Sequence, residues 1–600
     1  MIFAVYSETN SETIKANFGF PEYSYYFVLK EFLPLFQRLG TVIVVTDPMR
    51  EVDEIYRRAA QQGEDCIFFS FSPPHRTPLG LACPTVPVFA WEFDKIPSET
   101  WFNEQFQDWR FVLNKLGRAI THSSFSVQAV HEALGHDFPI VSIPAPVWDK
   151  FSALRQAAGE DPVVQGVEIS PDAPAIDSRA VDWTAYAQAQ QERQASGATK
   201  TPRPIPGIAT DTTLQIDGVV YTSIFSSHDL RKNYFDMLDA FCWAMRGIDD
   251  ATLILKIGHK DSSPVIDMLM QHLGRLAPFK CRVVLIDGYL NNADYESLLR
   301  HSTYAVNTSI GEGQCLPLME YMAYGKPAIA PRHSGMIDYV SAESAFVINS
   351  TAAPGIWAHD DRMAFRTFSQ RIDFESLLKA YEESYRVAKT APARYRAMAE
   401  NARRALEQHC SLAVAHERLK AFLALAPRAE SSANDYGALR SRDISYQLES
   451  TINFANKFET RRYLFGGWSK FESAYGIWTV GPVAELAFRI DPKPAKPLKF
   501  CISLTPFINS AHPQMSVGVS VNGVAVARWN FSVDRPEDVN QSWRYATFPA
   551  DAISGSEIRV KLWIEDPASP ELLGLSNDDR LLGVTLHELA IVPLDSDSEP

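Results

Sequence analysis

Short β-branched apolar runs separated by helical stretches fill residues 1–150 and recur across 218–427, and this doubled alternation restricts the possible folds more than any other feature. Ile2–Tyr6, Thr41–Thr46, Cys66–Phe71, Val86–Trp91, Ala119–His122 and Ile140–Ile143 read as strands, with helices near Tyr25–Leu39 and Glu51–Gln62. The pattern returns as strands at Val219–Phe225, Thr252–Ile257, Arg282–Asp287, Tyr304–Thr308, Ala328–Ala330 and Ala345–Ile348. Helices are expected near Asn233–Arg246 and Pro264–Leu276 and after Asn292. Strands that are apolar throughout and joined by helices form parallel sheets covered on both faces. The expected class is therefore α/β, with two doubly wound, Rossmann-like domains. Such sheets bind ligands beyond the carboxyl ends of their strands, so the loops after Tyr6, Phe71 and Trp91 face a cleft.

Other segments break the alternation. Residues 151–217 are rich in Ala, Gln, Pro and Ser and read as an insertion or linker with partial order at best. The second domain, 218–427, ends in the strongly helical stretch Arg394–Leu425, and 428–444 is a polar linker. From 445 to 597, short alternating runs such as Met515–Val521 and Ile558–Ile564, punctuated by Pro, Asn-Gly and Asp, indicate an antiparallel β-sandwich. Trp468, Tyr475 and Trp478 lie in this region, either as core residues or as rings for stacking against sugars.

Composition excludes several classes. A net charge of −15 over 600 residues argues against non-specific nucleic-acid binding and against adhesion to anionic lipid by overall charge. The seven cysteines are scattered, without metal-ligand spacing, which fits reduced thiols and a cytoplasmic protein. The N-terminal run is too short for a secretory signal, and no stretch approaches the roughly 20 apolar residues of a membrane span. Peripheral contact with the inner face of a membrane stays open.

The chemistry concentrates in residues 311–327, Gly-Glu-Gly-Gln-Cys-Leu-Pro-Leu-Met-Glu-Tyr-Met-Ala-Tyr-Gly-Lys-Pro. They follow the strand ending at Thr308. Pro317 suits the first helical position and Gly325 the left-handed residue beyond the end, so a helix of about two turns is expected. Its N-terminus offers unpaired N–H groups to a phosphate or a sugar oxygen. Gly311 and Gly313 let the backbone approach a ligand, and Glu312 and Glu320 reach its two ends. Lys232, with Arg231 beside it, lies between a strand and a helix, where a cation meets a diphosphate.

The run resembles the nucleotide-sugar signature of glycosyltransferase family 4, Glu, seven residues, Glu within EGFGLP(x)xEAMAxGxPV. The match is Glu312-Gly313-Gln314-Cys315-Leu316-Pro317, then Glu320, Met322-Ala323, Gly325 and Pro327-Ala328-Ile329. Gln314-Cys315 stands where Phe-Gly is common, and Tyr321 where Ala is usual. The resemblance implies a GT-B arrangement of the two α/β domains, with the last helix crossing back onto the first, and retaining, metal-independent transfer of a hexose from a nucleoside-diphosphate sugar to a glycan or lipid-linked saccharide. No cofactor is expected. It further implies that Lys232, Glu312 and Arg231 act in catalysis, and that Glu320, Gly313, Gln314, Cys315, Leu316, Gly335 and Ser227 bind the donor. Ser227 stands where the family carries Arg. Glu92, Asp94 and Gly19 are candidate sugar or acceptor contacts, with simple structural use as the alternative. A surface-polysaccharide pathway is the expected setting. Two rivals stay open: a degenerate transferase serving as a glycan-binding scaffold, and a nucleotide-sugar epimerase.

Overall fold

The computed structural model describes the chain apart from residues 11–12, 15–22, 102–104, 153–160, 170, 172, 189–207, 210–212, 260–261, 429–444, 456–459, 461–462, 470–475, 491–495, 550–551, 553–556, 577, 579 and 595–600. It divides into two compact units, Met1–Ser98 with Trp109–Glu430, and Glu99–Asp108 with Ser431–Pro600.

The first unit holds two α/β domains. Strands β1 (Ile2–Ser7), β2 (Thr41–Val44), β3 (Cys66–Phe71), β4 (Thr85–Phe89), β5 (Ala119–Thr121) and β6 (Ile140–Ser142) form a parallel sheet in the order β2-β1-β3-β4-β5-β6. Every residue of β3 is buried, as covering on both faces requires. The helix Tyr23–Leu39 supplies one cover through Tyr25, Val28, Leu29, Phe32, Leu35 and Phe36, spaced three and four apart along one stripe.

The second sheet contains β7 (Val164–Ile169), β8 (Ala175–Asp177), β9 (Ile208–Ala209), β10 (Leu214–Phe225), β11 (Ala251–Ile257), β12 (Arg282–Asp287), β13 (Tyr304–Val306), β14 (Ala328–Pro331) and β15 (Ala345–Ile348). Its order is β15-β14-β13-β10-β11-β12-β8-β9, with β7 antiparallel to the first half of β10. The strands from β10 to β15 are parallel; β8 and β9 add antiparallel edges. Strands within 151–217 therefore extend this sheet. A hairpin, β16 (Ser350–Ile356) with β17 (Phe365–Ile372), projects after β15. The helix Leu412–Leu423 returns to the first sheet, where Leu412 N donates to Asp149 at 2.6 Å and Arg418 to the Ser142 carbonyl at 3.1 Å. Two facing doubly wound domains closed by a returning helix make the GT-B arrangement.

The second unit is antiparallel. One sheet has β18 (Thr451–Asn453), β27 (Leu582–Pro593), β22 (Leu498–Pro506) and β25 (Ser542–Phe548) in that order, with β20 (Ile477–Val480) also on β27. The other runs β19 (Leu464–Gly466), β21 (Val483–Arg489), β26 (Glu557–Glu565), β23 (Gln514–Val521), β24 (Val524–Ser532). Phe500, Ile502, Val517, Val560 and Leu589 share one core between them.

All seven cysteines are free thiols, and Cys66 and Cys83 bring their sulfurs to 3.9 Å. Among the described residues no helix is long and apolar enough to cross a membrane.

Candidate functional site

The signature folds as strand, turn and helix. The helix spans Leu316–Tyr324, so Pro317 is its second residue, and Gly325 closes it in the left-handed region at φ 102°. Cys315 precedes it at φ 58°, the position where the family pattern carries glycine. A cysteine there bears strain of about 1 kcal/mol that glycine avoids.

Glu312 is buried and held on several sides. Lys232 Nζ donates to its Oε1 at 2.7 Å, Ser309 Oγ at 2.6 Å and Asn307 Nδ2 at 3.2 Å. Its backbone N donates to Ser334 Oγ at 2.9 Å. Burial opposes the charge, but Lys232, the Ser309 hydroxyl and Arg231 outweigh it and hold the carboxyl down at about 2. Burial likewise opposes the Lys232 ammonium, while Glu312 and Asp229 hold it above the ordinary lysine range. Asp229 Oδ2 stands 3.8 Å from Lys232 Nζ. Arg231 chelates Asp229, at 2.9 Å from Nε and 2.8 Å from Nη2, and its Nη1 pairs with Glu92 across the domains. Two cations therefore stand beside the start of the signature, both neutralised by carboxylates.

Glu320, on the second turn of the helix, accepts from Lys150 at 2.6 Å and from the Tyr295 hydroxyl. Lys150 also reaches Glu31 of the first domain at 3.2 Å. Burial disfavours the Lys150 charge, but Glu320 and Glu31 raise its pKa above the usual range. Sequence reasoning singled out neither Lys150 nor Tyr295, nor the Asn307, Ser309 and Ser334 that hold Glu312. Asn307 and Ser309 flank Thr308 on the way into the signature, a legible position. Lys150 carries no local signal.

Several of the expected ligand contacts have protein partners in this structure. A Cβ on Gly313 would stand 2.7 Å from Ala90 Cβ, and one on Gly311 3.2 Å from the Glu92 carbonyl, so these glycines admit the first domain's loop. Gln314 Oε1 accepts from Ala145 N at 3.0 Å, a tether that Phe could not make. Asp94, expected at a sugar, accepts from Thr367 Oγ1 at 2.7 Å and Phe368 N at 2.8 Å and anchors the β16–β17 hairpin. Ser227 is fully buried and its hydroxyl has no hydrogen-bond partner. Leu316 opens the signature helix, and Gly19 lies outside the described residues. Ser123 caps the helix Ser124–Leu134, its hydroxyl accepting from Ser126 N.

Gly335 N donates to the Glu312 carbonyl at 2.8 Å, and a Cβ there would meet Gly313 O at 2.1 Å. Gly335→Ala therefore forces two backbone segments apart. It is expected to cost about 1–3 kcal/mol, read by urea denaturation; an unchanged midpoint would refute the close approach.

A small pocket between β10, β13 and the signature helix is lined by Thr222, Ile224, Asn307, Cys315 and Tyr321. Among the described residues no group of three or more His, Cys, Asp or Glu is placed to hold a metal.

Residues 219–359 match the family model described as Glycosyl transferases group 1. This match takes in β11 to β15, Lys232 and the whole signature, and supports a glycosyltransferase. No curated protein matches the chain. Among solved structures, the chain is similar to Anabaena Alr3699/HepE in complex with UDP and glucose, at 13% identity over 71% of this chain and 99% of that one, with a TM-score of 0.39. A glycosyltransferase from Rickettsia africae ESF-5 is 12% identical over 71% and 99%, with a TM-score of 0.42. The α,α-trehalose 6-phosphate synthase of Burkholderia multivorans is 13% identical over 62% and 74%, with a TM-score of 0.38.

Proposed function

We propose that this chain is a retaining, metal-independent glycosyltransferase of the family 4 kind, moving a hexose from a nucleoside-diphosphate sugar to a glycan or lipid-linked saccharide. The observation that carries the reading is the buried Lys232–Glu312 pair, with Arg231 alongside, where the signature begins. An arriving diphosphate competes with Glu312 and Asp229 for these cations. Lys232 then offsets the charge that builds on the leaving diphosphate as the glycosidic bond breaks. Glu312, released from Lys232, accepts a hydroxyl of the donor sugar and orients it. Glu320 keeps free lone pairs beside Lys150 and Tyr295, with which it accepts the ribose hydroxyls. Arg231 supplies the second cation that the family draws from the position of Ser227. The acceptor enters from the first domain's side, and the reaction runs in the cytoplasm, in surface-polysaccharide assembly, with peripheral contact to the membrane.

The test is a thermal-shift series with UDP-, GDP-, ADP- and dTDP-sugars, followed by turnover with the one that binds. A donor at 100 times its Kd adds about 2.7 kcal/mol to stability, seen as a shift of a few degrees. Absence of a shift with all four defeats the reading. Interconversion of the donor sugar without any acceptor would make the protein an epimerase.

A further inference from the structure

We propose that the outer face of the β18-β27-β22-β25 sheet binds a neutral glycan chain, with Trp543 and Tyr545 as its stacking platform. On β25, Ala546 and Phe548 point into the sandwich core, whereas Trp543 and Tyr545 are 41% and 51% exposed. Residues two apart on a strand stand about 7 Å from one another on one face.

The register builds the rest of the surface. Trp543 lies opposite Ser503, Ser503 opposite Glu588, and Glu588 opposite Asn453. Tyr545 lies opposite Cys501, Cys501 opposite Ala590, and Ala590 opposite Thr451. Directly opposed residues project to the same side of a sheet. Two aromatic rings thus stand at one border of a floor of small, partly exposed residues, Cys501 and Ala590, with Ser503 buried beneath Gln541 at its end. Lys499, opposite Thr547, sets its Nζ 4.4 Å from the Tyr545 ring centroid, and Gln541 Nε2 donates to Ser503 Oγ at 2.9 Å.

A pyranose has an apolar C–H face and a rim of hydroxyls that both donate and accept. This surface offers the complement: the exposed Trp543 ring, the Tyr545 ring with the Lys499 ammonium over one side of it, Gln541 as a further donor and Glu588 as acceptor. One cation and one carboxylate balance, which suits an uncharged ligand. A nucleic acid requires a run of cations, and a lipid surface a continuous apolar patch, which the small and polar floor does not provide. The sequence pointed elsewhere for such a site: Trp468, which packs against the core, donates its Nε1–H to the Glu485 carbonyl at 2.8 Å. The assignment stands on the sandwich alone and does not need the donor-site reading.

The experiment is affinity electrophoresis of the full chain in native gels containing dextran, glycogen, yeast mannan or laminarin. At least one gel should retard the protein. Trp543→Ala combined with Tyr545→Ala should weaken that binding at least tenfold, and Trp543→Phe, which keeps a ring face, should retain most of it. Trp563→Ala, on the opposite sheet and equally exposed, serves as control and should leave binding unchanged. Free migration in all four gels overturns the proposal, as does equal retardation of the double variant or equal loss in Trp563→Ala. Mass photometry addresses the edge strand: a dimer that the double variant dissolves would make this face a self-association surface and overturn the glycan assignment.

Discussion

Replacing Lys232 by methionine lowers the rate of glycosyl transfer by roughly 10²–10³-fold at saturating donor, the scale on which one preorganised charge-stabilising donor counts. The ammonium stands 2.7 Å from Glu312 and stays charged across the neutral range, because Glu312 and Asp229 more than offset the cost of burial. Methionine keeps an unbranched apolar stem one atom shorter than that of lysine and removes the ammonium, with its charge and its N–H donors. Loss of kcat with a modest change in KM is the expected signature of a group that acts on the breaking bond more than on the bound donor. A folded Lys232→Met protein retaining more than a tenth of the rate would remove this residue from the reaction. The double variant Lys232→Met/Glu312→Gln separates chemistry from folding: it regains stability while remaining as inactive as the single one.

That recovery follows from the second large effect. Glu312→Gln alone leaves Lys232 buried with only the more distant Asp229, at 3.8 Å, as an ion-pair partner among the described residues, and breaking a buried pair from one side costs roughly 3–5 kcal/mol. Removing both charges avoids most of that cost, so the double variant should regain at least half of the loss in urea denaturation. The pH dependence has a definite sign. Glu312 falls from an ordinary 4.5 to about 2 in the folded protein, so its contribution is complete above about pH 4.5 and disappears as pH falls towards 2. The stability gap between wild type and Glu312→Gln should accordingly be constant near neutrality and narrow through that window. Parallel curves down to pH 2.5 would show that the pair does not hold the charge.

Sequence patterning was sufficient where burial is uniform. β3, β11 and β12 are continuous apolar runs because helices cover both their faces, and each appears within a residue or so of its expected span. The hairpin β16–β17 was not legible: its strands mix buried Thr367 with exposed Phe365 and Phe368, and no single period survives. The strands of 151–217 were hidden for a related reason, since β7 sits off the main strand order and leaves most of its side chains exposed or half-buried.

At the candidate site, local chemistry was written in the chain. Glu312, Glu320, the left-handed Gly325 and the cations at 231–232 follow from a strand, a tight turn and a short helix, all decided within a few residues. The partners of those groups were decided only by the fold. Lys150 on Glu320, Glu92 on Arg231, Ala145 on Gln314 and Ala90 against Gly313 come from the other domain, and nothing in the spacing along the chain encodes a contact across it. Secondary structure is set by neighbours in sequence, so the sequence by itself determined the elements and the charged groups they carry. Burial and ion pairing are set by neighbours in space, so only the tertiary structure decided that both signature carboxylates are held by lysines, Glu312 by Lys232 of its own domain and Glu320 by Lys150.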